Sequence, residues 1–367
     1  MRKLELVMLL ALACAMPLSA QLEDAGSETK AKCEEFLRTP LPAEALSVAA
    51  PKAWPDCDSY KSYSGIGRKV DFAAARQCAW LERLAQQSNL ESSHGIASVF
   101  GGSAMLTALY ANGEGVQKSI PLAIRFACEA GGAPAEISLR VEHLQSLEAG
   151  TSKPDSAFDF CDDVTSGFME GYCAAYESEI EDQKSAISLE GIASHFTPAQ
   201  RFAFDTLRKS EEAYSLAHAR GEIDLSGSAR AMYEIDSEET LRENFLAALK
   251  VFEKGKYPAG SQAQFADANT RLNRAYRKDL SDAEEHEGDY GAVQPGGIRD
   301  AERAWLKYRD AWVAFARLRY PSVPADAWLV LLTNDRIAIL DGSFCDMDVV
   351  EGPCVQKGDT WKPSPLP

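Results

Sequence analysis

Five histidines occur in 367 residues, and His94, His143, His195, His218 and His286 fall in no HExxH pair, beside no GxSxG turn and at no zinc-signature spacing. No two cysteines stand as CxxC and no His-Cys cluster has metal-ligand spacing, so a structural zinc site is excluded and no cofactor is expected. No Ser, Cys or Lys is marked as a nucleophile. With 55 acidic residues, some carboxyl pairs must fall near the roughly 5 to 9 Å that glycosidases use, but none is singled out. The acids around His286, from Asp282 to Asp289, lack the regular spacing of a calcium loop. No stretch alternates apolar and polar residues as a half-buried strand does, and no run reaches the ~20 apolar residues that cross a bilayer. These absences point to an all-α protein that is not an enzyme.

What is present begins with an export signal. Arg2 and Lys3 precede an apolar run from Leu6 to Leu12 and the small residues Ser19 and Ala20, which reads as a signal peptide over residues 1–20. A second reading attaches lipid at Cys14. The expected location is the periplasm or the medium. The formal charge of −17, one unit more negative without residues 1–20, disfavours nucleic acid and speeds encounter with cationic proteins. Apart from Cys14, eight cysteines remain, an even number that reads as a disulfide set in an exported chain. Of 105 connectivities, two local pairs are expected, Cys345 with Cys354 and Cys161 with Cys173.

Composition divides the remainder. Residues 21–52 form a leader with a short helix near Lys30 to Leu37. In residues 53–150, Gly65-Ile66-Gly67, Asp71 and Ala75 recur 48 positions later as Gly113-Glu114-Gly115, Ser119 and Ala123, each before an Ala-rich helix. The second copy, from Ala108 through Gly131, resembles a SEL-type repeat, a relative of the tetratricopeptide repeats; the first lacks a clear leading helix. Such units bury their apolar faces only against neighbours. Residues 151–193 form an acidic connecting region in which Asp155, Asp159, Asp162, Asp163, Glu170, Glu177, Glu179, Glu181 and Asp182 are uninterrupted by Lys or Arg and interleaved with aromatics. That pattern reads as a folded acidic surface able to bind a partner. In residues 194–260, a capping box at Thr197 to Gln200 opens a helix to about Arg220. Asp236 with Glu239 is expected to open a second, ending at Gly255. The region is a candidate diverged copy of the unit that follows.

That unit, 261–342, opens a helix at Ser261, another after Pro295-Gly296-Gly297 and a third from about Pro324 to Leu340, leaving residues 343–367 as a tail. Ile298, Ala301, Trp305, Tyr308, Trp312 and Phe315 recur at alternating spacings of three and four, one apolar helical face. Together with Leu272-Asn273-Arg274-Ala275-Tyr276, Tyr308-Arg309-Asp310, Leu332-Thr333-Asn334-Asp335-Arg336 and Leu340, this assembly resembles the LprI-like lysozyme-inhibitor family. The family pattern covers Leu272, Asn273, Tyr276, Ala301, Trp305, Tyr308, Arg309, Asp310, Thr333, Arg336 and Leu340. Trp305 and Trp312 are expected in the core, Arg309 or Arg336 paired with a carboxylate, and Thr333 capping or hydrogen bonding a neighbouring helix; the alternative makes these polar positions a target-binding face. Many family members carry a cysteine in the Tyr-Arg-Asp helix and another before the Leu-Thr segment. Here Ala311, Val313 and Ala314 occupy the first region, and no cysteine lies between Cys173 and Cys345, so packing must hold these helices. The resemblance implies an exported binding protein that inhibits a cationic lysozyme. The alternatives are a periplasmic scaffold using the helical repeats and, third, a cell-wall hydrolase.

Overall fold

The computed structural model describes residues 27–90, 95–151 and 157–341. The leader start, Cys14 and the Cys345–Cys354 pair lie outside the described residues, as does Asp155. The described residues are helical and contain no strand: α1 (Ser27–Phe36), α2 (Ala43–Ser47), α3 (Ser59–Ser64), α4 (Phe72–Gln87), α5 (Ile96–Phe100), α6 (Ser103–Asn112), α7 (Ile120–Ala130), α8 (Pro134–Ala149), a 3-10 turn (Phe160–Asp163), α9 (Gly167–Ala193), α10 (Pro198–Gly221), α11 (Arg230–Glu253), α12 (Gln262–Glu285), α13 (Pro295–Arg319) and α14 (Ala325–Leu340). None of these helices is long and apolar enough to cross a membrane. Two compact units divide at Gln183 and Lys184, within α9.

In the first unit the 48-residue echo is a repeated backbone geometry. Gly65 and Gly67, and again Gly113 and Gly115, take left-handed angles that glycine adopts without strain. Ile66 N–H donates to Lys61 O at 3.1 Å and Asp71 N–H to Ser62 O at 2.8 Å; Glu114 to Leu109 and Ser119 to Tyr110 repeat both bonds at 3.1 and 2.9 Å. The first copy does have a leading helix, α3, short because Gly65 stops it after six residues and Asp58 caps its start. Three disulfides fasten this unit: Cys33–Cys128 joins α1 to α7, Cys57–Cys78 the approach of α3 to α4, and Cys161–Cys173 the 3-10 turn to α9. Glu82, fully buried, receives N–H bonds from Ser59 at 3.1 Å and Gly102 at 2.9 Å, so a carboxyl on α4 satisfies two loop donors.

The second unit is built on the antiparallel pair α10 and α13. Capping boxes at Thr197 and Ser261 start α10 and α12 as their sequences predict. Two helix starts differ from expectation. Helix α11 begins at Arg230, not at Asp236, because no Pro or Gly interrupts residues 229–253 and the chain is already helical when it reaches Asp236. Helix α13 begins at Pro295 itself, whose ring presets the first helical angle, so Gly296 and Gly297 form its first turn. Gly297 meets Gly221 at the end of α10: a carbon added to Gly297 would stand 2.5 Å from the Gly221 carbonyl oxygen, and one added to Gly221 would stand 2.6 Å from that of Gly297. At the other end Gln200 of α10 bonds Leu318 O of α13 at 3.0 Å. Between these ends lies an aromatic core in which Trp312 and Trp328 stack at 5.8 Å and Phe252 meets Trp328 edge-on at 4.9 Å. Trp305 and Trp312 are each buried to 2 % exposure.

The glycine crossing yields a paired prediction. Gly297→Ala forces backbone apart and should cost about 1 to 3 kcal/mol, whereas Gly296→Ala, which meets nothing within 4 Å, should be neutral or slightly stabilising. Urea midpoints of the two variants check this.

Candidate functional site

Arg336, on α14, is fully buried, and its surroundings organise the second unit. Its two terminal nitrogens donate to Glu222, just past α10, at 2.7 and 2.6 Å, and its Nε donates to Glu302 of α13 at 3.1 Å. The Tyr214 hydroxyl of α10 lies 3.3 Å away, and His218 Nδ1 meets Glu222 at 2.8 Å. Burial disfavours the guanidinium charge, but Tyr214, Glu222 and Glu302 outweigh it and hold Arg336 protonated. Burial also pushes Glu222 upward; hydrogen bonds from Arg336 and His218 outweigh it and keep Glu222 ionised below the usual range. Glu302 and Asp279 of α12 are raised, burial being the largest cause in each, Asp279 to about 6.

Over this cluster α12 and α13 diverge and leave a polar groove of about 370 Å³. Leu272, Asn273 and Tyr276 line one wall, Trp305 and Arg309 the other, so five family-pattern positions far apart in sequence share one surface. The Arg309 guanidinium lies 5.3 Å from the Trp305 ring centre and donates to Asp310 at 3.0 and 2.8 Å, which places a paired cation over an indole. On the rim, Arg299 donates to Glu284 at 2.6 Å and Arg303 to Asp300 at 2.7 Å; both arginines remain partly exposed. The spacing of Arg299 and Arg303 on one face of α13, away from the apolar stripe, signals the rim of this wall.

The other predicted residues fall differently. Ala301 is fully buried, Tyr308 accepts the Trp312 indole N–H at 2.7 Å, and Leu340 packs beside Trp305, Leu272 and Ile337. Thr333 neither caps nor bonds a helix: its hydroxyl is buried without a partner, because α14 is already helical there and turns Thr333 inward among apolar neighbours. Of the acidic run in the first unit, Asp163 is buried against His143 at 3.1 Å and Asp159 accepts the Cys161 N–H at 2.9 Å. Glu179 is raised chiefly by burial, while Glu177, Glu181 and Asp182 are engaged with neighbours. Glu170 is half-buried and Asp162 exposed. The run is therefore partly internal. Among the described residues the one His, Cys, Asp or Glu grouping close enough for a metal is Cys57, Cys78 and Glu82, and its sulfurs are bonded to each other. Glu222, Glu302, Tyr214 and His218 carried no pattern in the sequence that marked them.

Residues 258–340, α12 to α14 with the turn before them, match the family model described as Lysozyme inhibitor LprI. That is an inhibitor family rather than an enzyme family. Comparison with curated proteins and with solved structures returned no match.

Three substitutions test the reading of the buried polar positions. Arg336→Met strands Glu222 in the interior and should cost about 3 to 5 kcal/mol, most of it recovered when Glu222→Gln is added. Thr333→Val removes a hydroxyl that bonds nothing and should leave the denaturation midpoint unchanged or raised. Chemical denaturation of the single and double variants measures both.

Proposed function

We propose that the chain is an exported, non-enzymatic binding protein that inhibits a cationic lysozyme through the α12–α13 face of its second unit. The observation that carries the reading is that the inhibitor-family match covers the helices that form the groove, and that five of its pattern positions line it. Three disulfides suit folding in an oxidising compartment, which agrees with the signal-like start of the sequence.

The physical division of labour is straightforward. A formal charge of −17 raises the encounter rate with a basic protein. The exposed acids of the 157–182 stretch, Asp162 foremost, add to that long-range field. At contact, Arg299 and Arg303 on the groove rim present guanidiniums, the groups best shaped to meet the two carboxylates of a glycosidase cleft in paired hydrogen bonds. Arg309, held over the buried Trp305 ring, supplies the wall on which a partner surface rests. A second reading, a protein-binding scaffold in the first unit, is supported by the duplicated helix-turn-helix geometry around Gly65 and Gly113.

Lysozyme clearance of bacterial cell walls, with and without excess oxidised protein, tests the proposal. Dose-dependent protection is expected, weakening by about tenfold or more in the Arg299→Glu, Arg303→Glu double variant, since like charges then oppose. Its association rate should fall as salt rises because exposed charges are screened beyond about 8 Å at physiological ionic strength. Absence of protection against several lysozyme types would move the function to the first unit. Release of soluble wall fragments by the protein alone would replace inhibition with hydrolysis.

A further inference from the structure

A second concavity in the same unit has a different chemistry. Helix α11 packs on α10, while α14 packs on α12 and α13, and the space left between α11 and α14 is a cavity of about 60 Å³. Its walls include Tyr214, Trp305, Tyr308, Trp312 and Trp328. Two acidic residues from different helices line it, Glu211 on α10 and Asp335 on α14. Glu211 is only 7 % exposed; Ser215 bonds one of its oxygens at 2.8 Å and no other hydrogen bond reaches it. Asp335 has no hydrogen-bond partner and keeps some exposure at the mouth, where Leu241, Asn244 and Ala248 of α11 are half-buried.

An aromatic enclosure faced by two acids, Glu211 bonded only by Ser215 and Asp335 by no hydrogen bond, is a poor place to leave dry. Rings offer their negative faces to cations, and a carboxylate excluded from water gains most from a donor that is itself charged. Arg336, which also borders the cavity, is matched by Glu222 and Glu302 and is not available to either acid. The volume is well below the roughly 150 Å³ that admits a benzene ring, so it takes an ammonium head and its first carbons, while the rest of an alkyl chain lies in the mouth beside Leu241, Asn244 and Ala248. We propose that the α11–α14 cavity binds an alkylammonium group, held between Glu211 and Asp335 with its methylenes against the tryptophans. The site is separate from the α12–α13 groove and stands whether or not that groove meets a lysozyme.

The empty cavity carries its own pH signature. Burial pushes Glu211 and Asp335 up to about 7. The groups facing them are Arg208 and Glu212 from α10, Arg242 from α11, Tyr308 from α13 and Arg336 from α14; the arginines near Glu211 only partly offset its burial. Both acids are raised above their unfolded values, so their contribution to stability is present below about pH 4 and is lost as pH rises through about 7. A bound ammonium reverses this, because it requires the ionised forms.

Tryptophan fluorescence of the full oxidised chain, titrated with n-butylammonium and with neutral n-butanol, tests the site. Butylammonium should bind about tenfold or more tightly near pH 8 than near pH 5.5, following ionisation of the two acids. Asp335→Asn and Glu211→Gln should each lower that affinity by about tenfold while leaving the fold intact, since each mimics the neutral acid. Ala248→Phe should block the mouth without touching a charge. Butanol binding as tightly as butylammonium near pH 8, no saturable response to butylammonium, or affinity unmoved by Asp335→Asn would overturn the proposal. Displacement of bound butylammonium by a lysine-rich peptide would identify the natural source as a side chain; no displacement would identify it as a free amine.

Discussion

A fully buried guanidinium is expensive to hide and cannot be neutralised by losing its proton, so the helices around Arg336 have little freedom in where they lie. Glu222 follows α10, Glu302 belongs to α13 and Arg336 to α14, and the three must meet within hydrogen-bond distance or leave charge stranded in the core. The matching pair at the opposite end, Arg319 with Glu253 at 2.9 and 2.5 Å, links α13 to α11 in the same way. The aromatic core lies between these two polar anchors, and the anchors add charge-paired constraints on the register to those of ring packing. This is how the unit dispenses with the inter-helix cysteines that the family resemblance led one to expect.

The same constraint shapes both concave surfaces. Gly221 against Gly297 draws α10 and α13 together at one end until their backbones touch, and Gly260 does likewise for the turn before α12, where an added carbon would lie 2.9 Å from Ala327 Cα. Helices held so closely along some edges must part along others. The α12–α13 groove and the α11–α14 cavity are the two places where they part. One is open, polar and rimmed with arginine; the other is small, aromatic and faced by acids. Trp305 borders both, so a single large side chain separates two opposite electrostatic environments.

The all-α class was legible, as were the capping boxes at Thr197 and Ser261 and the apolar stripe from Ile298 to Phe315, because each depends on residues a few positions apart. Cys161 with Cys173 was legible for the same reason. Helix starts were less so. Asp236 and Glu239 have the composition of an N-cap, but a cap signal inside an uninterrupted helical stretch has no stop before it to make it a start. Thr333 shows the complementary failure: its hydroxyl was expected to bond because most buried hydroxyls do, and here helical phase turned it inward where no acceptor lies.

By itself the sequence determined the periodic features: which segments are helices, which face of each is apolar, where glycines must turn left-handed, and that residues 261–342 form a helical unit resembling one known family. Only the tertiary structure decided which acids pair and which stand alone. Arg336 meets Glu222 across 114 positions, while Asp335, its neighbour, faces an aromatic cavity with no hydrogen-bond partner. Local spacing sets the direction in which a side chain leaves its helix. What it then encounters is set by another helix whose distance and angle come from packing, and that information exists only once the helices are assembled.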